Sequence, residues 1–202
     1  MLISFEGGEG AGKSTLIHRL YHHLLPLEKP LLLTRAPGST SVGELLRELL
    51  LNPEEKPLSL PAELFLFLAD RAEHVDKVIR PALLQKTVVL CDRFNDSTAA
   101  YQGGARGFGV KWIQTLCDFA TQGLQPDLTF YLDIEPSLGL SRVMRSKDRL
   151  EQEKLTFHEE VRNTYLSIAQ QEPKRFYILD GSQSPDELFQ TALRILIPYW
   201  EC

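Results

Sequence analysis

The sequence predicts an α/β fold in which a parallel sheet of about five strands lies between two layers of helices. Short apolar runs alternate along the chain with longer segments whose apolar residues recur at helical spacing. Turn-forming and charged residues bound these runs, as is usual for buried parallel strands. The 202 residues are 43% hydrophobic and 24% charged, which suffices for one domain with one core.

The first strand and helix enclose the most informative motif. Residues 2–5 are an apolar run, and apolar residues follow at helical spacing from Leu16 to Leu24. Between them, residues 7–14 read G-x-x-x-x-G-K-[ST], the P-loop pattern. Its glycines let backbone N–H groups approach phosphate, its lysine carries the charge, and its serine offers a hydroxyl to Mg²⁺. We therefore expect a P-loop NTPase fold and ATP contacts from Gly7, Gly8, Glu9, Gly10, Ala11, Gly12, Lys13, Ser14 and Thr15.

The second and third predicted strands end in charged residues. Residues 30–34 lead into Arg35, and residues 87–91 lead into Asp92 and Arg93. Ligands of open parallel sheets bind at the carboxyl ends of the strands. Arg35 is thus a candidate anion ligand, although it could also be an ordinary surface arginine. Asp92 is a candidate second Mg²⁺ ligand and Arg93 a candidate phosphate ligand, with an internal Asp92–Arg93 ion pair as the alternative.

Two helices are predicted between these strands. Residues 39–51 place Leu45, Leu46, Leu49 and Leu50 on one face. The next helix begins at Pro61, and its residues 64–69 are apolar all round, which predicts burial by the core and by a second subunit. Phe67 and Arg71, four residues apart, share a face. They could stack on and hydrogen-bond a base, but Phe67 could equally be a core residue.

The second half of the chain supplies further polar groups. Residues 97–107 offer hydroxyls, an amide and a phenol suited to reading a base or sugar, and a helix is expected after them to about Gly123. Residues 126–133 and 175–179 predict the last two strands. Arg142, Arg145 and Arg149 recur at i, i+3 and i+7 on a helix or a helix-flanked loop. Such a stripe is either a solvated face or, near a P-loop, a lid that seeks phosphate.

Composition excludes several classes of function. The net charge of -5 argues against broad nucleic-acid binding. No apolar run reaches the ~18 residues of a membrane span, and Glu6 interrupts the first run too early for a signal peptide. Cys91, Cys117 and Cys202 form no C-x-x-C pair, so we expect a cytosolic protein without a disulfide framework or a zinc site.

Four stretches together resemble the thymidylate kinases, and the resemblance covers nearly the whole chain. They are residues 5–14, 34–38, 92–104 and 126–133. The lid carries arginines and the P-loop carries none, a distribution that is similar to that of the bacterial type of the family. Ala36 stands where the family usually has glutamate, Ser39 stands where it usually has a second glycine, and the lid is about two residues short.

The resemblance implies Mg²⁺-dependent transfer of the ATP γ-phosphoryl group to dTMP, within dTTP synthesis, by a cytoplasmic homodimer. It implies one kinase domain over residues 1–202 with a lid at about 142–153. For the base of dTMP, it implies that Phe67 stacks on thymine and that Arg71 bonds the carbonyl edge of thymine, with further base-side contacts from Ser97, Thr98 and Gln102. For the phosphate, it implies that Arg35 and Arg93 hold it. For the sugar, it implies that Glu9 meets the 3′-hydroxyl and that Tyr101 lies where a 2′-hydroxyl would clash. It further implies that Arg142, Arg145 and Arg149 reach the ATP phosphates, that Ser14 and Asp92 hold the metal, and that Lys13, Arg93 and Arg149 are catalytic.

Two other functions remain open at this point. Another P-loop kinase could phosphorylate a different nucleoside monophosphate, or a deoxynucleoside with Glu6 as the carboxylate base. A nucleotide switch of the GTPase kind should carry an N-K-x-D guanine motif, and the sequence has none.

Overall fold

A five-stranded parallel sheet forms the centre of the computed structural model, which describes residues 1–27, 29–54, 58–144 and 146–200. The sheet order is β2-β3-β1-β4-β5, and all four pairings are parallel. The strands are β1 (Leu2–Gly7), β2 (Leu31–Arg35), β3 (Val88–Asp92), β4 (Leu128–Asp133) and β5 (Phe176–Asp180). The predicted fold class is therefore confirmed.

Helices connect the strands and cover both faces of the sheet. They are α1 (Lys13–Leu24), α2 (Ser41–Leu51), α3 (Leu60–His74), α4 (Arg80–Leu84), α5 (Asn95–Thr98), α6 (Val110–Thr121), α7 (Pro136–Ser141), α8 (Leu155–Gln171) and α9 (Pro185–Trp200). A short 3₁₀ turn, Leu25–Leu27, follows α1. Two π-helical segments occur: Val75–Ile79 joins α3 to α4, and Ala99–Ala105 continues α5.

The two faces of the sheet are buried by different helices, which creates the three layers. Phe130 of β4 packs in a cluster with residues of α1 and α9 such as Leu20 and Leu196. The next residue, Tyr131, points to the opposite face and stacks on Tyr165 of α8 with ring centroids 4.8 Å apart. Successive strand side chains alternate between faces, so a strand covered on both sides reads as one continuous apolar run.

Several local predictions differ from the structure. The helix expected to begin after Gly107 is preceded by helical structure from Asn95 onward, because Gly103 and Gly104 lie inside a π-helical segment and do not end it. The leucine face of α2 is only partly buried in one chain: Leu50 is fully buried, whereas Leu45 is 65% exposed. Phe65 of α3 is 63% exposed, so the all-round burial expected for residues 64–69 does not occur within the chain.

The membrane prediction and two of the residues named from the sequence remain to be compared with the structure. No helix in the described part of the chain is long and apolar enough to cross a bilayer. Arg145 and Cys202 lie outside the described residues.

Candidate active site at the carboxyl edge of the sheet

The strand register brings the predicted site residues to one edge. Arg35 at the end of β2 pairs with Asp92 at the end of β3, and Phe5 of β1 pairs with the same aspartate. The P-loop leaves β1 at this edge. A cavity of about 650 Å³ opens there, and its wall includes residues 9–15, Arg35, Arg47, Phe67, Arg71, Asp92, Arg93, Ser97, Thr98, Tyr101, Gln102, Arg142 and Glu151.

The P-loop folds around the ammonium group of Lys13. Its Nζ donates to the carbonyl oxygens of Gly7 at 3.0 Å and Gly8 at 2.7 Å, which therefore lie behind the cavity wall. Gly10 has φ +66°, and a Cβ there would lie 1.9 Å from the carbonyl oxygen of Gly139. Only glycine fits this turn. Burial lowers the pKa of Lys13, and the neighbouring charge of Arg93 lowers it further.

Ser14 and Asp92 provide oxygen atoms suited to a divalent cation. The Ser14 hydroxyl lies 3.5 Å from Asp92 Oδ2. The other carboxylate oxygen, Oδ1, is buried and has no hydrogen-bond partner among the described residues. Those residues contain no group of three or more His, Cys, Asp or Glu side chains that could hold a metal by themselves. This donor set fits Mg²⁺, which is usually bound by one or two protein oxygens together with substrate phosphates.

Arg93 lies beside the P-loop in a left-handed backbone conformation with φ +70°. Its guanidinium donates to Glu9 Oε1 at 2.6 Å and to Ser97 Oγ at 3.3 Å, and it covers the Tyr101 ring. Burial opposes ionisation of Glu9, but Arg93 and then Lys13 hold its pKa at about 2. Arg93 therefore pairs with Glu9, and the Asp92–Arg93 ion pair considered from the sequence does not occur in the described structure.

Among the residues of the cavity wall that were not predicted from the sequence are Arg47 and Glu151. Arg47 of α2 donates to the carbonyl oxygen of Pro37 at 2.8 Å. Burial lowers the pKa of Arg47, and the charge of Arg35 adds to that effect. Glu151 is buried and lines the same cavity as Glu9. Arg47 looked like an ordinary polar position of an amphipathic helix, so its spacing gave no signal.

Ser39 hydrogen-bonds within the loop that carries Arg35. Its hydroxyl accepts from the Arg35 N–H at 3.0 Å and donates to the Arg35 carbonyl at 2.6 Å. Thr34 Oγ1 lies 2.9 Å from the same hydroxyl. Asp70 of α3 accepts the Gly38 N–H at 3.0 Å. The serine that departs from the family pattern thus closes this loop through its side chain.

The base-side candidates from α3 and from the π-helical segment after α5 lie at the same cavity. Phe67 is half-buried in its wall. Arg71 donates to the Arg93 carbonyl at 3.1 Å, and its Nε has no hydrogen-bond partner in the part of the chain that the structure describes. The amide of Gln102 donates to Glu63 at 3.0 Å. The Tyr101 hydroxyl donates to Glu9 Oε1 at 3.0 Å, so the phenol is fixed beside that carboxylate.

The structure separates the lid arginines. Arg142 donates to the carbonyl of Gly181 at 2.8 Å and lines the main cavity and a second one of about 460 Å³ beside the P-loop. Arg149 points away from the P-loop, since it donates to the Leu50 carbonyl at 2.9 Å and to the buried carboxylate of Glu63 at 3.1 Å. The described residues between α7 and α8 contain no helix, so the i, i+7 spacing does not align the arginines. The expectation that Arg149 reaches ATP phosphates does not match its position.

Glu6 is not available as a base for a nucleoside acceptor. It is fully buried and accepts the Phe94 N–H at 2.6 Å, the Ser97 hydroxyl at 2.5 Å and the Tyr165 hydroxyl at 2.9 Å. Burial, and next the nearby charge of Asp96, raise the pKa of Glu6 to about 7. Its carboxylate holds the turn after β3 and is absent from the described wall of the main cavity.

A parallel sheet with a P-loop after its central strand, and a cavity lined by that loop and by several arginines, define a P-loop phosphotransferase. The family model for thymidylate kinase matches residues 5–192. The chain belongs to the thymidylate kinase family, as its resemblance to that family predicted.

Relatives and a solved structure agree with this assignment. The chain is 45% identical to a thymidylate kinase of Protochlamydia amoebophila over 98% of its own length and 92% of the relative. It is 50% identical to one of Synechococcus sp. (strain JA-3-3Ab), covering 98% and 96% of the two chains. A crystal structure of thymidylate kinase from Ehrlichia chaffeensis superposes with a TM-score of 0.80 at 33% identity, covering 97% and 98% of the two chains.

Proposed function

We propose that this chain transfers the γ-phosphoryl group of ATP to the phosphate of dTMP, giving dTDP and ADP. The observation that carries the proposal is one cavity lined both by the P-loop and by Arg35, Arg47 and Arg93. A P-loop alone would serve any nucleoside triphosphate. A second set of arginines suits an acceptor that already carries a phosphate.

The reaction needs charge neutralisation more than it needs a base. The attacking phosphate oxygen of a nucleoside monophosphate is largely ionised at neutral pH, because its second pKa is near ~6. The obstacle is repulsion between two polyanions. Lys13 and the P-loop amides stabilise the donor phosphates, while Arg93 and the arginines beside it hold the acceptor in line.

We infer that Ser14 and Asp92 hold Mg²⁺ together with ATP. The support is the unpartnered, buried Asp92 Oδ1 beside the Ser14 hydroxyl. When bound, the ion would neutralise charge on the β- and γ-phosphates.

Glu9 and Tyr101 are suited to select the deoxyribose. With a pKa held at about 2, Glu9 is ionised at neutral pH and can accept a hydrogen bond from the 3′-hydroxyl. The phenol of Tyr101 is fixed next to it at 3.0 Å, where it would exclude a 2′-hydroxyl. We propose that this pair favours deoxynucleotides over ribonucleotides.

The second cavity suits the nucleoside end of ATP. It lies between the P-loop residues 10–12 and the turn after β5, and Arg142 borders it. We propose that Arg142 covers ATP there as part of a lid at about 142–153, in one kinase domain formed by the whole chain.

We further propose a homodimer and a cytoplasmic location. The helices α2, α3 and α6 pack side by side, and each exposes large apolar side chains, among them Leu45, Phe65 and Phe119, the last being 85% exposed. Large apolar side chains exposed on neighbouring helices favour association. Light scattering should give twice the mass of one chain, and Phe65→Glu should halve it. The free Cys91 and Cys117 suit a reducing compartment.

A coupled ADP-release assay with ATP and Mg²⁺ tests the proposed reaction. The acceptors dTMP, dUMP, dCMP, dGMP and thymidine are offered in parallel. We expect turnover with dTMP ahead of dUMP, by a margin limited to the ~1–3 kcal/mol of one methyl group. Turnover with thymidine or dGMP instead of dTMP would refute the assignment of the acceptor. The buried, hydrogen-bonded Glu6 argues against thymidine.

A further inference from the structure

Behind the base-side wall of the cavity, one buried carboxylate accepts hydrogen bonds from three side chains. Glu63 of α3 is 1% exposed. Its Oε1 accepts from Gln102 Nε2 at 3.0 Å and from Arg106 Nε at 3.1 Å. Its Oε2 accepts from a second nitrogen of Arg106 and from Arg149, each at 3.1 Å. A carboxylate paired with two guanidinium groups accepts hydrogen bonds and donates none.

This carboxylate determines which end of the Gln102 amide faces the cavity. A glutamine amide has a donating and an accepting end, and either end can face a ligand if nothing holds it. Because Glu63 accepts from Nε2, the carbonyl oxygen of Gln102 turns the other way. No donor in the described residues reaches that oxygen, and Gln102 borders the cavity. The cavity is therefore presented with an acceptor at this point.

Arg71 presents the opposite polarity at the same cavity. It lies two turns after Glu63 on α3, and its Nε is buried without a hydrogen-bond partner among the described side chains and backbone. The base end of the cavity thus combines a donor from Arg71 with an acceptor from Gln102.

We propose that Glu63 is a positioning residue that sets the base preference of the acceptor site by fixing the orientation of the Gln102 amide. This inference rests on the proposed function. Thymine presents a carbonyl oxygen next to an N–H group, which matches a donor next to an acceptor. Cytosine presents an amino group next to an unprotonated nitrogen. The Arg71 donor would then face the amino group, which is also a donor, and the Gln102 oxygen would face the nitrogen, which is also an acceptor. Glu63 therefore discriminates against dCMP without touching the base.

The test is Glu63→Gln, assayed with dTMP and with dCMP. The oxygen of the new amide takes the place of Oε2 and keeps its bonds from Arg106 and Arg149. The NH₂ group takes the place of Oε1, where it faces Gln102 and gives up the bond from Arg106 Nε. Gln102 then turns its own oxygen toward residue 63 and its NH₂ group toward the base. We expect kcat/KM for dTMP to fall about tenfold to a hundredfold while that for dCMP does not fall.

Glu153→Gln is the matched control. Glu153 accepts from Arg106 at 2.6 Å, so this change also removes a carboxylate partner of that arginine but leaves Glu63 and Gln102 in contact. The ratio of dTMP to dCMP activity should stay at the wild-type value. In a Gln102→Ala background, Glu63→Gln should no longer change the ratio, because the amide that it orients is gone.

Two results would overturn the role of Glu63: an equal loss with both nucleotides in Glu63→Gln, or the same change of ratio in Glu153→Gln. If Glu63→Gln does not fold, a crystal structure of the wild-type protein with dTMP decides. We expect the Gln102 amide to bridge Glu63 and the N3 position of the base, and an N3 bonded elsewhere contradicts the proposal. A wild-type protein that does not prefer dTMP to dCMP refutes the proposed function itself. A wild-type preference that Glu63→Gln leaves unchanged refutes only the inference.

Discussion

Replacing Arg93 with alanine should remove most of the binding energy for the phosphate of the acceptor in the transition state. The guanidinium is 18% exposed at the side chain and is held by Glu9 at 2.6 Å and Ser97 at 3.3 Å, so it faces the cavity in a fixed position. A preorganised charge in a partly dry site contributes about 3–4 kcal/mol to the transition state, which corresponds to about a hundredfold to a thousandfold in rate. We expect kcat/KM for dTMP to fall by that factor.

The same substitution removes the ion-pair partner of Glu9 but should leave the anchoring of Lys13 in the P-loop intact. Lys13 is anchored to the carbonyls of Gly7 and Gly8, and neither bond involves Arg93. The KM for ATP, measured at saturating dTMP in the ADP-release assay, should therefore change little. Arg93→Lys restores the charge without the planar pair of donors and should recover part of the loss.

Arg162→Ala is the control for Arg93→Ala. Arg162 forms a two-bond ion pair with Asp133, at 2.7 and 2.9 Å, and does not border the main cavity in the described structure. The Arg162→Ala variant should retain the wild-type kcat and KM values. If Arg93→Ala keeps kcat/KM for dTMP within about threefold of wild type, a loss of less than ~1 kcal/mol, then the acceptor phosphate does not bind at Arg93.

Three further predictions concern the metal, a buried carboxyl and the lid. Asp92→Asn should raise the Mg²⁺ concentration for half-maximal rate and lower kcat by about a hundredfold, with Mg²⁺ titration as the measurement; unchanged Mg²⁺ dependence would exclude Asp92 as a ligand. The pKa of Glu6 is raised from 4.5 to about 7 on folding, so its contribution to stability is complete below pH 4.5 and is lost as pH rises through 7. Measured by urea unfolding, the free energy of unfolding of the wild type should fall by about 3 kcal/mol relative to that of Glu6→Gln between pH 4.5 and 8. Parallel pH profiles of the two proteins would refute this. Arg142→Ala should raise KM for ATP, whereas Arg149→Ala should lower stability and leave that KM unchanged; a raised ATP KM in Arg149→Ala would return Arg149 to the ATP site.

The parts of the site that the sequence predicted correctly as structure are those encoded locally. The P-loop lies between β1 and α1 because strand, glycines and helix follow one another within residues 2–24. The ends of β2 and β3 were predictable because an apolar run stops at a charged residue. Parallel pairing then aligns Arg35 with Asp92 without any further signal.

Positions that depend on tertiary contacts were not predictable from spacing. The resemblance implies that Arg149 reaches the ATP phosphates, but this side chain donates to the buried Glu63 instead. The described residues between α7 and α8 contain no helix that would align it with Arg142. Arg47 lies on the polar side of α2, where an arginine is normally solvated. Its function depends on the contact with the Pro37 carbonyl, which no local pattern encodes.

The distribution of acids and bases explains how a chain of net charge -5 can bind two polyanions. The arginines at the cavity are individually held by oxygen acceptors: Arg93 by Glu9 and Ser97, and Arg47 by the Pro37 carbonyl. These contacts fix the side chains before a ligand arrives, so little rotamer entropy remains to be lost on binding. Glu6 contributes indirectly, because its hydrogen bond from the Phe94 N–H stabilises the left-handed turn at Arg93. The acidic residues therefore help anion binding by holding the cations in place.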